Sequence, residues 1–576
     1  MSHRAHLFSL RIAYAMRESF INNTYSSSDL LKDLLSGISV GIIAIPLAMA
    51  LAIASGVPPQ YGLYTAAVAG ILIPLMGGSR FSVSGPTAAF VVIIQPIVFQ
   101  YGLSGLLVTT VLSGIVLIAM AFLRLGRYIE YVPQAVTLGF TGGIAVVIAI
   151  LQVDEFLGIE ITEFPTHFYE KVGVLIAQIP GFDITSLFIG VITLLILIVW
   201  PYFIKSVPPH LPALLVGGVA AVALQSLDLP VATIGSTYQF LFPDGSMGHG
   251  IPPFLPNFEL PWLRQLPGDP VLIWNLSLFS DLLSAAVAIA ALGAIESLLC
   301  AVVLDEMSQT RHSANSELLG QGIGNIVTPF LGGITATGAI ARSATNYKTG
   351  AKSPLSSVFH GIFIILVILF AAPILSYIPM PSMAALLLIV AWKMGEFHKS
   401  LNLLKTASKS DIAVFLTCFS LTILFDMVVA IIAGILLASL LFVRSMSELT
   451  ELKNSTKKYY PVQPAGQLFK VFDINGPLFF AAADRIFGEL GFLLTQECDG
   501  ILLNLENASM IDSGGISSLL KLIEECDAAG TKIHLSSMNR PVARALIKAR
   551  LKKDQRIRLF TTVKAAKAAF CQSDTE

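Results

Sequence analysis

The sequence predicts an α-helical, multi-pass membrane protein built as a seven-plus-seven inverted repeat of about fourteen transmembrane segments, followed by a small α/β domain. The chain of 576 residues is 55% hydrophobic and only 13% charged, whereas soluble domains carry about 25% charged residues. A Pro-x-x-Gly-Gly turn also occurs twice. Pro329 and Gly332 lie 255 residues after Pro74 and Gly77, respectively. Broken helices at equivalent places in two repeats indicate a ligand site near the middle of the membrane.

Apolar stretches close to the length of about 20 residues that a bilayer core requires run along most of the chain. In order, they lie at roughly 33–54, 61–76, 103–124, 134–152, 184–204, 211–226, 280–304, 316–331, 356–377, 382–394, 411–425 and 427–448. Two shorter stretches, at about 86–100 and 338–348, begin directly after the glycine breaks. The repeats therefore cover about 33–226 and 280–448, and an odd number of segments in each turns the second repeat upside down relative to the first.

Basic residues are predicted to set the orientation, because they favour the cytoplasmic side of a membrane. The connections that would then face the cytoplasm contain Arg80, Arg127, Arg311, Lys348 and Lys399, among others. We therefore expect both termini, including an N-terminal segment at 1–32, in the cytoplasm. A net charge of −1 gives no reason to expect a nucleic-acid partner, and five scattered cysteines predict neither a disulfide framework nor a metal site. No cofactor is expected.

The composition changes after residue 448, the predicted end of a membrane domain at 33–448. A polar linker at 449–466 leads into a predicted α/β domain at 467–576, which is long enough to fold independently. Its predicted strands are 468–473, 501–505 and 532–535, and its predicted helices are 480–490, 516–526, 541–551 and 563–570. Asp512 or Ser513 is expected to cap the helix that follows them. A regulatory contact or phosphorylation at Ser513 is the alternative.

The two glycine breaks are predicted to be helix N-termini that bind an anion. Such an end presents unpaired amides and about half a positive charge. The residues concerned are Ser84, Gly85, Pro86, Thr87, Ala88 and Ala89 in the first repeat and Thr337, Gly338, Ala339 and Ile340 in the second. Glycine lets a ligand approach the backbone, and the hydroxyl groups can cap the helix or donate to the ligand. The alternative is a pair of helix kinks filled by neighbouring side chains.

Two charged residues fall close to these breaks. Glu296 lies inside an apolar stretch, where an ionised carboxylate costs at least about 2.5 kcal/mol without a partner, and we expect it to couple a cation to the anion. The alternative is that it only pairs with Arg342 to join two helices. Arg342 is expected to reach the anion, with snorkelling toward the interface as its alternative. The two helix ends and the guanidinium together carry about +2; ionised Glu296 lowers this, so a proton on Glu296 would favour a dianion.

Three motifs resemble those of the sulfate permease (SulP) family of anion transporters. They are PQYGLYT at 59–65, NSELxGQGxGN at 315–325 and DSGG at 512–515. The last is similar to a loop of the STAS domain that these transporters carry in the cytoplasm. Within the family, the runs at 41–51, 79–90 and 292–305 resemble the aerobic dicarboxylate transporters of enterobacteria.

The resemblance implies a core domain from segments one to four and eight to eleven, a gate domain from the other segments, and a homodimer. A location in a bacterial inner membrane is also implied. It also implies elevator-type, proton-coupled uptake of four-carbon dicarboxylates such as succinate, fumarate or aspartate, and no enzymatic activity. Leu47 and Leu51 would join the substrate site, and Cys300 would join Glu296 at the ion-coupling site. Sodium-coupled relatives have threonine where this chain has Cys300 and Ile340, so protons are expected instead of sodium.

The implied partners are the anion, the coupling proton, the lipid bilayer and a possible cytosolic protein at the STAS domain. Two alternatives stay open. One is a sulfate or bicarbonate transporter of the same fold, coupled to protons or sodium. The other is a membrane receptor that senses an anion and signals through the STAS domain.

Overall fold

The computed structural model describes residues 9–21, 25–159, 161, 168–204, 207–242, 244–425, 427–459, 469–493, 499–551 and 554–572. Parts of the predicted N-terminal segment (1–8 and 22–24) and of the predicted linker (460–466) lie outside the described residues. The chain forms two compact units, Met1–Ile435 and Leu436–Glu576. The division falls inside a helix that ends at Glu448, the residue at which the sequence predicts the membrane domain to end.

Helices dominate the first unit. Those of its first half are α1 (Tyr14–Ile21), α2 (Ser27–Ala54), α3 (Pro59–Met76), α4 (Ala88–Phe122), α5 (Gln134–Leu151), α6 (Val153–Leu157), α7 (Phe168–Gln178), α8 (Ile184–Phe203), α9 (His210–Gln225) and α10 (Ile234–Thr237). Helix α4 contains a break at Gly102, where φ is 68°. The Asp269 carboxylate accepts a hydrogen bond of 2.8 Å from the Leu103 N–H and so caps the part beyond the break. The break accounts for the predicted short segment and the span that follows it.

The second half of this unit is also mainly helical. Its helices are α11 (Leu276–Ser308), α12 (Ala314–Val327), α13 (Ile340–Lys348), α14 (Leu355–Leu375), α15 (Met380–Met394), α16 (Phe397–Thr406), α17 (Lys409–Leu424) and α18 (Met427–Glu448). Short 3₁₀ turns lie at Leu125–Tyr131, Ile179–Gly181 and Thr328–Leu331. The short strands of this unit are β1 (Ser84–Gly85), β2 (Gln239–Leu241), β3 (Met247–His249) and β4 (Thr337–Gly338). Among the described residues, eight helical stretches are long and apolar enough to cross a membrane, and His210–Gln225 is a shorter apolar helix.

The inverted relation between the halves is visible at β1 and β4. These strands pair antiparallel, with Ser84 opposite Gly338 and Gly85 opposite Thr337. Strand β1 leads into α4 and β4 leads into α13. The chain therefore enters the two helices from opposite directions, as the seven-plus-seven inverted repeat predicts.

The helices of the first unit pack in two groups. In the first group α2, α3, α4, α11, α12 and α14 pack against one another, and β1 lies against α3 while β4 lies against α11. Helices α2 and α3 approach each other closely because Gly62 of α3 has no side chain. A Cβ on Gly62 would overlap the Ala48 carbonyl oxygen of α2. In the second group α5 packs on α15 and α17, and α8 packs on α9 and α15. We call these the core group and the gate group, after the two domains that the resemblance predicts.

The second unit is a layered α/β domain. Its elements after α18 are β5 (Glu451–Asn454), α19 (Thr456–Tyr459), β6 (Phe469–Leu478), α20 (Phe480–Leu493), β7 (Gly500–Asn504), β8 (Ala508–Ile511), α21 (Ser513–Ala528), β9 (Lys532–Ser536), α22 (Arg540–Lys548), β10 (Ile557–Phe560) and α23 (Val563–Gln572). The strand order is β10-β9-β7-β6-β5, and β8 also pairs with β6. Strand β5 is antiparallel to β6 and the other pairs are parallel. Leu503, Ile523 and Leu535 are among the buried core residues.

The structure differs from the sequence prediction at Glu451–Asn454, which fall in the predicted linker and instead form the edge strand β5. Strand β10 also lacks a sequence prediction. Edge strands are short and often carry charged residues, which discourage pairing with other chains. A polar edge strand therefore resembles a linker in composition.

Candidate anion site

The two predicted helix starts lie side by side. They are joined by the β1–β4 pairing, and the Ala339 N–H donates to the Val83 carbonyl oxygen at 3.0 Å. Thr87 and Ala339 are the N-cap residues of α4 and α13, and neither makes a side-chain cap hydrogen bond. Both helices therefore begin with first-turn amides that no capping side chain covers, which is the arrangement that binds anions.

The hydroxyl groups at these starts are arranged differently from one another. Thr87 donates to the Glu296 Oε2 at 2.9 Å, and Thr337 donates to the Gly293 carbonyl oxygen at 2.9 Å. Ser84 accepts a hydrogen bond of 3.1 Å from the Gln321 side-chain amide. These hydroxyl groups therefore do not cap the helices, because their bonds lead to helices α11 and α12. Their role as donors to a ligand stays a prediction.

Arg342 is buried beside the paired strands, with 4% of its surface exposed. Its Nη2 donates to the Pro86 carbonyl oxygen, and its Nη1 is buried with no hydrogen-bond partner among the described residues. A Cβ on Gly85 would lie 2.6 Å from this Nη1, so the glycine makes room for the guanidinium. The side chain thus faces the first helix start and does not snorkel.

Glu296 lies on α11, partly exposed, within hydrogen-bond distance of the α4 start. Among the described ion pairs, none joins Glu296 to Arg342. The alternative in which the acid merely bridges two helices through Arg342 therefore has no contact to support it. The Thr87 hydroxyl is the group that links Glu296 to the helix start.

Cys300 lies one turn after Glu296 on α11 and is fully buried. A Cβ on Gly338 would lie 3.7 Å from the Cys300 Cβ and 2.9 Å from the Ser82 Oγ. Cys300 of α11 therefore packs against strand β4. Within the described part of the chain, no group of three or more His, Cys, Asp or Glu residues could hold a metal ion.

The other predicted site residues occupy less specific positions. Pro86, Ala88 and Ala89 are buried, and Ile340 is 40% exposed. Leu47 and Leu51 are one turn apart on α2, with Leu51 buried and Leu47 partly exposed. Their hydrophobic contacts with a substrate stay a prediction.

The sequence analysis assigned no role to Glu317 and Gln321, two buried polar residues of α12. Glu317 is 1% exposed, and its Oε2 accepts hydrogen bonds of 2.9 Å from the Gly78 and Ser79 N–H groups. Its Oε1 accepts one of 3.2 Å from the Gln321 amide, which also reaches Ser84. The spacing of four residues between Glu317 and Gln321 places them on one helix face, a signal that the NSELxGQGxGN motif contained.

In the second unit, Asp512 is the N-cap residue of α21, and its carboxylate accepts a hydrogen bond of 2.7 Å from the Gly515 N–H. It also accepts one of 3.3 Å from the Phe480 N–H. Asp512 therefore performs the predicted cap. Ser513 is exposed at the first position of the helix, and its regulatory role stays a prediction.

Comparison with known families agrees with both units. The model of the sulfate permease family matches residues 30–418, and that of the STAS domain matches residues 460–566. YvdB of Bacillus subtilis (strain 168), named as a candidate sulfate transporter, is 41% identical over 466 residues, which cover 81% of this chain and 83% of the relative. The bicarbonate transporter BicA of Synechocystis sp. (strain PCC 6803) is 28% identical over 548 residues, which cover 89% of each.

Solved structures show the same architecture. The transmembrane domain of a cyanobacterial bicarbonate transporter BicA superposes with a TM-score of 0.60 at 27% identity, covering 71% of this chain and 98% of that one. The structure of SLC26A9 superposes with a TM-score of 0.80 at 17% identity, covering 98% and 93%, which shows the shared fold. The chain therefore belongs to the sulfate permease family of membrane anion transporters and carries a STAS domain.

Proposed function

We propose that this protein is a secondary active transporter that takes up four-carbon dicarboxylates, such as succinate, fumarate and aspartate, together with protons. It acts in a bacterial inner membrane, with both termini and the STAS domain in the cytoplasm, and works as a homodimer. The core group carries the anion past the gate group in an elevator movement. One observation carries the proposal: the paired starts of α4 and α13 lie beside a buried guanidinium whose Nη1 has no partner among the described residues.

The charge at this site favours a dianion. Each helix start contributes about half a positive charge, so the two starts and the Arg342 guanidinium carry about +2. Ionised Glu296 reduces this to about +1. A dianion is therefore matched when Glu296 holds a proton, and the anion and the proton favour each other's binding.

The hydrogen bond between the Thr87 hydroxyl and Glu296 would couple protonation of Glu296 to anion binding. It donates to the Glu296 carboxylate at 2.9 Å, so its proton is not free for an anion while Glu296 is ionised. Once protonated, the Glu296 acid can donate to the Thr87 Oγ1 instead. The Thr87 proton is then released toward the anion at the helix starts.

Sulfate is the second candidate substrate, because the relative at 41% identity is named for sulfate. Sulfate and succinate are both dianions, so the charge argument serves either. The preference for dicarboxylates is supported by the runs at 41–51, 79–90 and 292–305, which resemble the aerobic dicarboxylic acid transporter DauA of enterobacteria. Bicarbonate, which is named for the BicA relative, has one carboxylate group, whereas succinate, fumarate and aspartate each have two, so it fits the protonated site less well.

Uptake into proteoliposomes tests the proposal. We expect uptake of labelled succinate to rise as the external solution is acidified, and excess sulfate or bicarbonate to compete weakly. In Glu296→Gln the amide imitates the protonated acid, so uptake should continue with its pH response lost. An unchanged pH response would reject the coupling role of Glu296, and uptake of sulfate but not succinate would establish the second candidate. A receptor would bind the anion without any uptake.

A further inference from the structure

Ser84, Thr87 and Thr337 place hydroxyl groups at the two helix starts. Of the three, only the Ser84 hydroxyl has no acceptor for its proton among the described residues. The Thr87 proton is donated to Glu296, and the Thr337 proton is donated to the Gly293 carbonyl oxygen. The Ser84 Oγ accepts from Gln321, and none of the described residues accepts a hydrogen bond from it. Ser84 is fully buried in strand β1, next to the α4 start.

The orientation of the Gln321 amide follows from its other contact. Its Nε2 lies 3.2 Å from the Glu317 Oε1. The second oxygen of Glu317 accepts two backbone N–H groups, which hold this side chain in place. The NH₂ end of Gln321 therefore points toward Glu317, and the Gln321 Oε1 is buried with no hydrogen-bond partner among the described residues. The same NH₂ group supplies the second proton to Ser84.

We infer that Gln321 is a positioning residue that makes Ser84 an obligatory hydrogen-bond donor to the transported anion. An Nε2–H bond occupies a lone pair of the Ser84 oxygen, so the one hydroxyl proton is directed elsewhere. The Glu317 carboxylate, anchored on the Gly78 and Ser79 amides, holds the amide in this orientation. Unlike the Thr87 hydroxyl, this donor stays available whether or not Glu296 carries a proton. The inference rests on the proposed anion site and specifies how one of its groups works.

The experiment is a double-mutant cycle with Ser84→Ala and Gln321→Met in the full-length transporter. Dissociation constants for succinate and for sulfate are measured by titration calorimetry on the purified protein, and KM and kcat are measured in proteoliposomes. A hydrogen bond to a charged partner corresponds to roughly tenfold in affinity. We therefore expect each single variant to raise Kd and KM roughly tenfold with little change in kcat.

The double variant decides between positioning and packing. If Gln321 acts through Ser84, the double variant should bind no more weakly than Ser84→Ala alone. Wild-type affinity in Gln321→Met, or effects that multiply to roughly a hundredfold in the double variant, would overturn the inference. Absence of any binding by the wild type to either anion would also overturn it. Binding without uptake would instead refute the proposed transport and leave the cycle readable in Kd.

Two further variants keep the experiment interpretable. Thr109→Val removes a buried hydroxyl within α4, whose proton is donated to the Gly105 carbonyl oxygen at 2.8 Å. It controls for the loss of a buried hydroxyl and should leave Kd unchanged. Should Gln321→Met fail to fold, Gln321→Leu removes the same two hydrogen bonds with a similar volume and takes its place in the cycle.

Discussion

Substitution of Gly85 by alanine should displace Arg342 from the anion site. A Cβ at this position would lie 2.6 Å from the Arg342 Nη1 and 3.4 Å from the Ala66 Cα. Ordinary contact between heavy atoms is about 3.5 Å, so the guanidinium would have to move by about 1 Å. Because the Ala66 Cα is backbone, the new methyl group cannot turn away from Arg342 by shifting in that direction.

The displacement should weaken anion binding without unfolding the protein. Loss of one hydrogen bond between a charged group and the anion costs about 1.5–3 kcal/mol, which corresponds to a rise in Kd of roughly tenfold to a hundredfold. Titration of the purified Gly85→Ala variant with succinate and sulfate measures this change. KM for uptake should rise by a similar factor.

A matched control is available in Gly173 of α7. No heavy atom of the described residues lies within 4 Å of the place that its Cβ would take. Gly173→Ala should therefore bind and transport like the wild type. A folded Gly85→Ala variant with wild-type Kd would refute the reasoning that the Arg342 Nη1 contacts the anion.

The remaining predictions concern stability. Glu317→Leu should lower the thermal stability of the membrane unit, by about 1–3 kcal/mol, because the buried Gly78 and Ser79 N–H groups lose their acceptor; an unchanged melting temperature would contradict it. Asp512→Ala should cost about 1 kcal/mol of local stability, seen as faster hydrogen exchange at the start of α21, whereas equal exchange rates would show that the cap contributes nothing. Burial lowers the pKa of His534 in β9 below its usual value, with smaller contributions from its neighbours. Its stabilising contribution is therefore complete above the unfolded pKa of about 6.5 and is lost as the pH falls through the folded pKa. The opening free energy of β9, measured by hydrogen exchange after correction for the pH dependence of the intrinsic exchange rate, should therefore fall on acidification, and His534→Phe should reduce that fall.

The two helix starts could be predicted from the sequence because their signal is local. Glycine and proline interrupt an apolar stretch wherever the chain breaks a membrane helix, and the interval of 255 residues between Pro74 and Pro329 relates the two breaks. An odd number of segments per repeat then requires the second break to point the opposite way. The antiparallel pairing of Ser84 with Gly338 confirms the inverted repeat.

The hydrogen-bond partners within the site could not be predicted from the sequence. Thr87 and Glu296 are 209 residues apart, and Ser84 and Gln321 are 237 apart. Which hydroxyl proton goes to which acceptor depends on how α4, α11 and α12 pack, and no local pattern records that. The sequence also could not decide whether Arg342 is buried at the site or snorkels to the interface, because both are compatible with a basic residue in the first turn of a short helix.

Locating a bound anion would show whether it lies between the starts of α4 and α13. Selenate, a heavy analogue of sulfate, can be soaked into crystals and found by its anomalous scattering. We expect a selenium peak beside β1 and β4, within hydrogen-bond distance of the Arg342 Nη1 and the first-turn amides of α4 and α13. A peak elsewhere in the core group, with these amides and Arg342 uncontacted, would contradict it.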